Sequence, residues 1–331
     1  METTAIDPRV APLLTAAAVR SRCRILFAAA MAGRLEHFSV HLDRLDATAG
    51  YVVATMRANY PDLDIPFHAR WRHFSAGGID RWQVIAPRLE DTSIAERTRA
   101  AFDLAIVSVL LDAGAGARWR YREAGTGLDL ARSEGLGVAS LHMFAQGDFS
   151  ADSERPLRCD AARLAELTAE DIALGFHVDA ETNPLDGLEG RAALLNRLGE
   201  TLAASPAVFD AGDGPRPGAL ADWLMAMSDG EGRLPAATIL SVLLAHLGPI
   251  WPGRLTLYGV PLGDTWEHPL ARSGGNGNVL VPFHKLSQWL AYSLIEPLQW
   301  AGLTITDIDG LTGLREYRKG GPLHDQGILA S

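Results

Sequence analysis

Residues 92–117 read TSIAERTRAAFDLAIVSVLLDAGAGA. Thr92 or Ser93 can cap a helix, the apolar positions from Ile94 to Leu111 recur with helical spacing, and the glycine-rich run Asp112-Ala113-Gly114-Ala115-Gly116-Ala117 stops it. The same pattern extends in both directions. Val10 to Ala32 predicts one or two helices, Leu42 to Asn59 another, Glu189 to Ala203 a core-facing helix with Leu195, Leu198 and Leu202 on one stripe, and Phe283 to Gln299 a last long one. Pro61 and Pro66 force an extended segment that carries an unusual aromatic and basic run, Phe67-His68-Ala69-Arg70-Trp71-Arg72-His73-Phe74. Strand signals are few, Thr256 to Val260 being the best, and Ser273 to Asn278 reads as a tight loop. The class is therefore mainly α, a multi-helical body with a few short strands or hairpins. Residues 1–331 read as a single body, with two lobes possible across a flexible break at 211–218, Ala-Gly-Asp-Gly-Pro-Arg-Pro-Gly.

The chain has 331 residues, 30 basic against 40 acidic side chains, and a net charge of −10. That balance argues against nonspecific binding to nucleic acid or an anionic membrane. Arg20, Arg22 and Arg24 interrupt the apolar run that a signal peptide needs, and no apolar stretch approaches the roughly 20 residues of a membrane span. Cys23 and Cys159, the only cysteines, lack metal-finger spacing, and the chain reads as cytoplasmic. G-x-G-x-x-G, G-K-[ST] and G-x-S-x-G are all absent, which disfavours a dinucleotide or P-loop site and a serine nucleophile. No cofactor is implied.

Several clusters can carry chemistry. At Asp112 to Glu123, Gly114 and Gly116 let backbone approach a ligand and Trp119 or Tyr121 can stack on it, although an ordinary glycine cap uses the same residues. Arg132-Ser133-Glu134 sets a cation and a carboxylate two residues apart, which a solvated helix start also explains. Phe176 to Thr182 is the densest acid/base cluster, and an extended backbone would put His177, Asp179 and Glu181 on one face. His-x-Asp-x-Glu is not a standard metal spacing, so no metal is assigned. Lys285, Gln288, Tyr292, Glu296 and Gln299 form a polar stripe beside Leu286, Leu290 and Leu294, and the tail to Gly321 crowds Asp307, Asp309, Glu316, Arg318 and Lys319. Asp264 and His268 at a turn read as structural.

Taken in order, the motifs Leu110 to Gly116, Trp119 to Glu123, Arg132 to Leu136, Phe176 to Leu188, and His284-Lys285-Leu286-Ser287-Gln288-Trp289-Leu290 with its tail resemble the uracil-catabolism protein 4 family. A more distant resemblance is to the queuosine-nucleotide N-glycosylases, all-helical enzymes. Asp112 to Trp119 is similar to their substrate-pocket motif, and Asn183-Pro184-Leu185 through Gly199 to their Pro-Leu helix. Lys285, Gln288 and Leu290 match part of their Lys-Arg-Ala-Gln helix, and Glu316-Tyr317-Arg318 resembles their Asp-Tyr-Arg. Ser293 stands where that helix carries an acid, and Leu286 where it carries arginine.

These resemblances imply hydrolysis of the N-glycosidic bond of a ribosylated, ring-opened pyrimidine, such as ribosylurea or its 5′-phosphate, with release of urea. The chemistry asks for a carboxylate to stabilise an oxocarbenium ion or activate water, groups that grip ribose, and a donor for the departing nitrogen. The catalytic candidates are Asp112, Asp179, Glu181, Glu316 and His177. The substrate-binding candidates are Trp119, Arg132, Glu134, His284, Lys285, Gln288, Tyr317 and Arg318. A metal-dependent amidohydrolase using His177, Asp179 and His268 or His284 is one alternative. A non-catalytic partner of another uracil-pathway enzyme, bearing an exposed apolar patch, is the other.

Overall fold

The computed structural model describes residues 6–251, 255–272, 279–314 and 317–331. Its helices are α1 Ala16–Met31, α2 Leu45–Asn59, α3 Arg70–Phe74, α4 Trp82–Ile85, α5 Ile94–Leu110, α6 Arg132–Gln146 and α7 Ala161–Glu166. The second half adds α8 Ala169–Gly175, α9 Leu188–Ala204, α10 Pro206–Phe209, α11 Leu220–Ala226, α12 Ala236–Leu247, α13 Lys285–Trp300 and α14 Tyr317–Asp325. The described strands form only two-stranded pairs. The mainly helical class thus holds, and the strand expected at 256–260 is a hairpin, Thr256–Leu257 against Val260–Pro261. The turn loop expected at 273–278 lies outside the described residues.

α5 is the axis of the body. Ser93 caps it by accepting the Glu96 N–H at 3.1 Å, and every residue from Ala100 to Leu110 is buried. With no exposed face left along that stretch, the helix is enclosed, and α3, α6, α9, α11 and α13 pack around it. Close approach between α7 and α9 depends on Gly199, where a Cβ would sit 2.5 Å from the Ala161 carbonyl oxygen. One apolar cluster runs from Val10 to Leu314. The 211–218 segment is tied to it: Asp210 accepts the N–H groups of Gly212 and Gly214, and Arg216 is fully buried.

Two segments differ from their sequence reading. The aromatic and basic run is not wholly extended, because residues 70–74 close into α3. Pro66 restricts only the residue before it, and from Ala69 onward burial of Trp71 and Phe74 outweighs that local preference. Trp71 meets Trp82 and Trp300 edge-on, with centroids 5.3 and 4.7 Å away. The 176–182 segment is likewise not extended: it is a turn closed by an antiparallel bridge from Asp179 to Asn183, with His177 at φ +52°.

Candidate functional site

Where α5 ends, Asp112 to Gly116 form one wall of a cavity of about 900 Å³. Arg191 on α9 fixes that wall. Its buried guanidinium donates to the carbonyls of Leu111 at 2.9 Å, Ala113 at 3.0 Å and Gly114 at 3.2 Å, a cation satisfying the exposed end of a helix. Gly116 sits at φ +79°, a backbone conformation that strains any L side chain whatever the space around it. The first turn of α6, Arg132-Ser133-Glu134, makes the second wall, and the first turns of α13, with Lys285, Leu286, Ser287 and Trp289, the third. His68 and His73, flanking and within α3, close a fourth side, and Asp264 and Trp251 complete the lining.

Asp112 is held from both sides. Ser133 Oγ donates to one carboxylate oxygen at 3.1 Å, and the fully buried Arg70 pairs with the other. Arg70 is itself anchored, its Nε donating to Ser108 Oγ at 2.6 Å and its Nη1 to the Ser133 carbonyl at 3.2 Å. Burial pulls the Arg70 pKa below its ordinary value, and the Asp112 charge opposes that pull. Ser293 accepts the Arg70 backbone N–H at 2.9 Å through Oγ and the Trp71 indole N–H at 2.7 Å through its carbonyl. It positions α3 against α13. Asp264 accepts the Lys285 N–H at 3.0 Å, a carboxylate at a helix N-terminus.

Trp289 is the aromatic face of the cavity. His68 stacks on it at 6.1 Å and 21°, His73 meets it edge-on at 5.6 Å, and the Arg70 guanidinium lies 5.6 Å from its ring. Burial, with Arg70 and His68 nearby, pushes the His73 pKa down to about 3, so the imidazole is neutral at pH 7. The native side chain then binds a proton less readily than the unfolded chain, whose histidine titrates near 6.5. Stability is expected to fall as pH drops below about 6.5, with this contribution complete only below about 3. A His73→Gln variant, unfolded by urea at pH 7 and 5, should lose less stability between the two than the parent; an equal loss would contradict a neutral buried His73.

Of the candidates named from sequence, Asp112, Arg132, Glu134 and Lys285 line this cavity. Trp119 is buried behind it, packed on Gly135 with its indole N–H donated to the Phe176 carbonyl at 3.1 Å. His284 is buried too, Nε2 lying 2.9 Å from the Leu13 carbonyl oxygen, and burial lowers its pKa. Gln288 ties α13 to the tail, donating to the Phe283 carbonyl at 2.9 Å and accepting the Thr312 N–H at 3.0 Å. His177, Asp179 and Glu181 are exposed and outside the lining. His177 stacks on Tyr121 at 4.7 Å. Asp179 closes its turn by accepting from Thr182 and from the Glu181 N–H, and those bonds hold its carboxyl below the usual range. Glu316 and the side chains of Tyr317 and Arg318, whose backbone opens α14, lie outside the described part of the chain.

Sequence reasoning passed over Arg70, His68, His73 and Asp264 as site residues. The unusual 67–74 run was the available signal for the first three. For a metal, His268 is engaged in capping Leu270 at 3.2 Å, and among the described residues no three His, Cys, Asp or Glu side chains are placed to share an ion.

The family described as "Protein of unknown function (DUF1688)" matches residues 12–331. "Uracil catabolism protein 4" of Lachancea kluyveri is 37% identical over 314 residues, which cover 90% of this chain and 70% of that protein. "Protein urg3" of Schizosaccharomyces pombe (strain 972 / ATCC 24843) is 35% identical over 325 residues, covering 97% and 77% respectively.

Proposed function

Because the chain belongs to the uracil-catabolism protein 4 family, we propose that it acts in uracil catabolism as an N-glycosidic bond hydrolase, taking ribosylurea or its 5′-phosphate and releasing urea. One observation carries the reading: a single cavity gathers Asp112, Glu134 and Asp264 with Arg132 and Lys285 against the Trp289 ring. A ribosyl group needs both kinds of partner, carboxylates for its hydroxyls and for positive charge at C1, and cations for the hydroxyls or a phosphate.

The Asp112 carboxylate, fixed by Arg70 and Ser133, faces developing oxocarbenium charge without moving. Glu134 accepts no hydrogen bond among the described residues, which suits a base that takes a proton from water as its oxygen adds to C1. His68 supplies the proton to the departing urea nitrogen. Arg132 and Lys285 anchor the sugar end, and Trp289 covers the planar ureido group.

The test is to incubate purified, chelator-treated protein with ribosylurea and with its 5′-phosphate and to assay urea. Release is expected, and Glu134→Gln should reduce it by roughly 100-fold or more with near-ultraviolet circular dichroism unchanged. No urea from either compound would end the glycosidase reading. One observation favours the non-catalytic alternative: large apolar side chains are exposed between Phe27 and Ile65. Urea release by the protein alone would sink that alternative.

A further inference from the structure

Twelve large apolar residues between Phe27 and Ile65 stand 38–58% exposed, and from His41 to Pro66 only Thr48 is buried. α2 is the centre of this region. A helix of 15 residues is marginal in water without packing, and one apolar on more than one face is normally enclosed. The segment is not a loose end. Ser39–Val40 pair antiparallel with Leu329–Ala330, and the His41 N–H donates to the Ile328 carbonyl at 2.8 Å, so its base is tied to the body.

We propose that α2 is the self-association element of this protein, pairing antiparallel with α2 of a second copy about a two-fold axis. Three features select a second copy. Leu45, Ala49, Val52 and Met56 recur at steps of four, three and four, the seam that one helix offers to another like itself. Asp46 lies near the start of α2 and Arg57 near its end. Antiparallel pairing brings the Arg57 of each copy toward the Asp46 of the other, whereas parallel pairing sets like charges together. Seven large apolar side chains of the α2 region, from Leu42 to Tyr60, stand 38–58% exposed together, a continuous patch and not the scattered single residues that monomers usually leave in water.

Pairing through α2 requires neither substrate nor glycosidase activity. Sedimentation velocity of the full chain at micromolar concentrations should give twice the chain mass. Val52→Glu with Met56→Glu should give single chains with unchanged circular dichroism, since neither side chain is buried in the single chain. Asp46→Arg should weaken association by about tenfold, and adding Arg57→Asp should restore it. A parent protein that sediments as one chain, a dimer that survives Val52→Glu/Met56→Glu, or a charge exchange that fails to restore association each overturns the proposal.

Discussion

Replacing Asp103 with alanine is expected to lower the unfolding free energy by about 3–5 kcal/mol, among the largest effects a single substitution can have here. Asp103 lies in the middle of α5 with no exposed surface. Its carboxylate accepts from Arg216 Nε at 3.0 Å and Nη2 at 2.6 Å, from the Cys159 N–H at 3.1 Å and from the Gly218 N–H at 2.6 Å. Burial alone pulls the Arg216 pKa down, but Asp103 and Glu96 together carry it above its ordinary value, so the cation persists. Removing Asp103 leaves that cation buried with only Glu96, 2.6 Å from Nη1, and strands two backbone donors. Urea denaturation would show the loss as a lower midpoint, and a change under about 1 kcal/mol would contradict the account. Asp103→Leu combined with Arg216→Met should cost less than either alone, because the two backbone donors stay stranded but no unpaired charge is left buried.

Arg70→Met is the second large effect, expected in stability and, under the proposed glycosidase reading, in urea release. The substitution removes the partner of Asp112 together with the bonds to Ser108 and the Ser133 carbonyl, at a cost of roughly 3 kcal/mol. Freed from its fixed direction, Asp112 would no longer present a preorganised charge, and urea release should drop by ~100-fold. Adding Asp112→Leu separates the roles: thermal unfolding should recover much of the lost stability, while release stays lost. Recovery of release in the double variant would remove Asp112 from the chemistry. Arg70→Lys should not rescue either property, since a lysine cannot span Ser108 and Asp112 at once.

Much of the candidate site was legible in sequence as parts. Asp112 was flagged by the glycine-rich end of an apolar helix, Arg132 and Glu134 by a charged helix start, and Lys285 by a polar stripe, and these four line one cavity. The 176–182 cluster shows the converse. Its density of titratable groups is real, yet two N–H groups and a hydroxyl from Glu181 and Thr182 converge on Asp179 to close a turn, and no periodicity rule distinguishes a turn-closing carboxylate from a reacting one. The residue types of Trp119 and His284 suit a ligand-facing role in sequence. Burial gives both to the interior, where indole and imidazole N–H groups satisfy carbonyls.

The helical class, the positions of α2, α5, α9 and α13 to within a few residues, the end of α1, the glycine stop after α5 and the family are all written in local sequence. Helical periodicity, capping and glycine punctuation act between residues a few positions apart, so a linear reading captures them. Packing alone brings His68, His73, Asp112, residues 132–134, Asp264, residues 285–287 and Trp289 to one cavity, sets Arg70 against Asp112, and leaves α2 apart from the core. Those outcomes depend on which apolar faces meet when distant helices pack and on which buried charges find partners there, and neither is set by spacing along the chain.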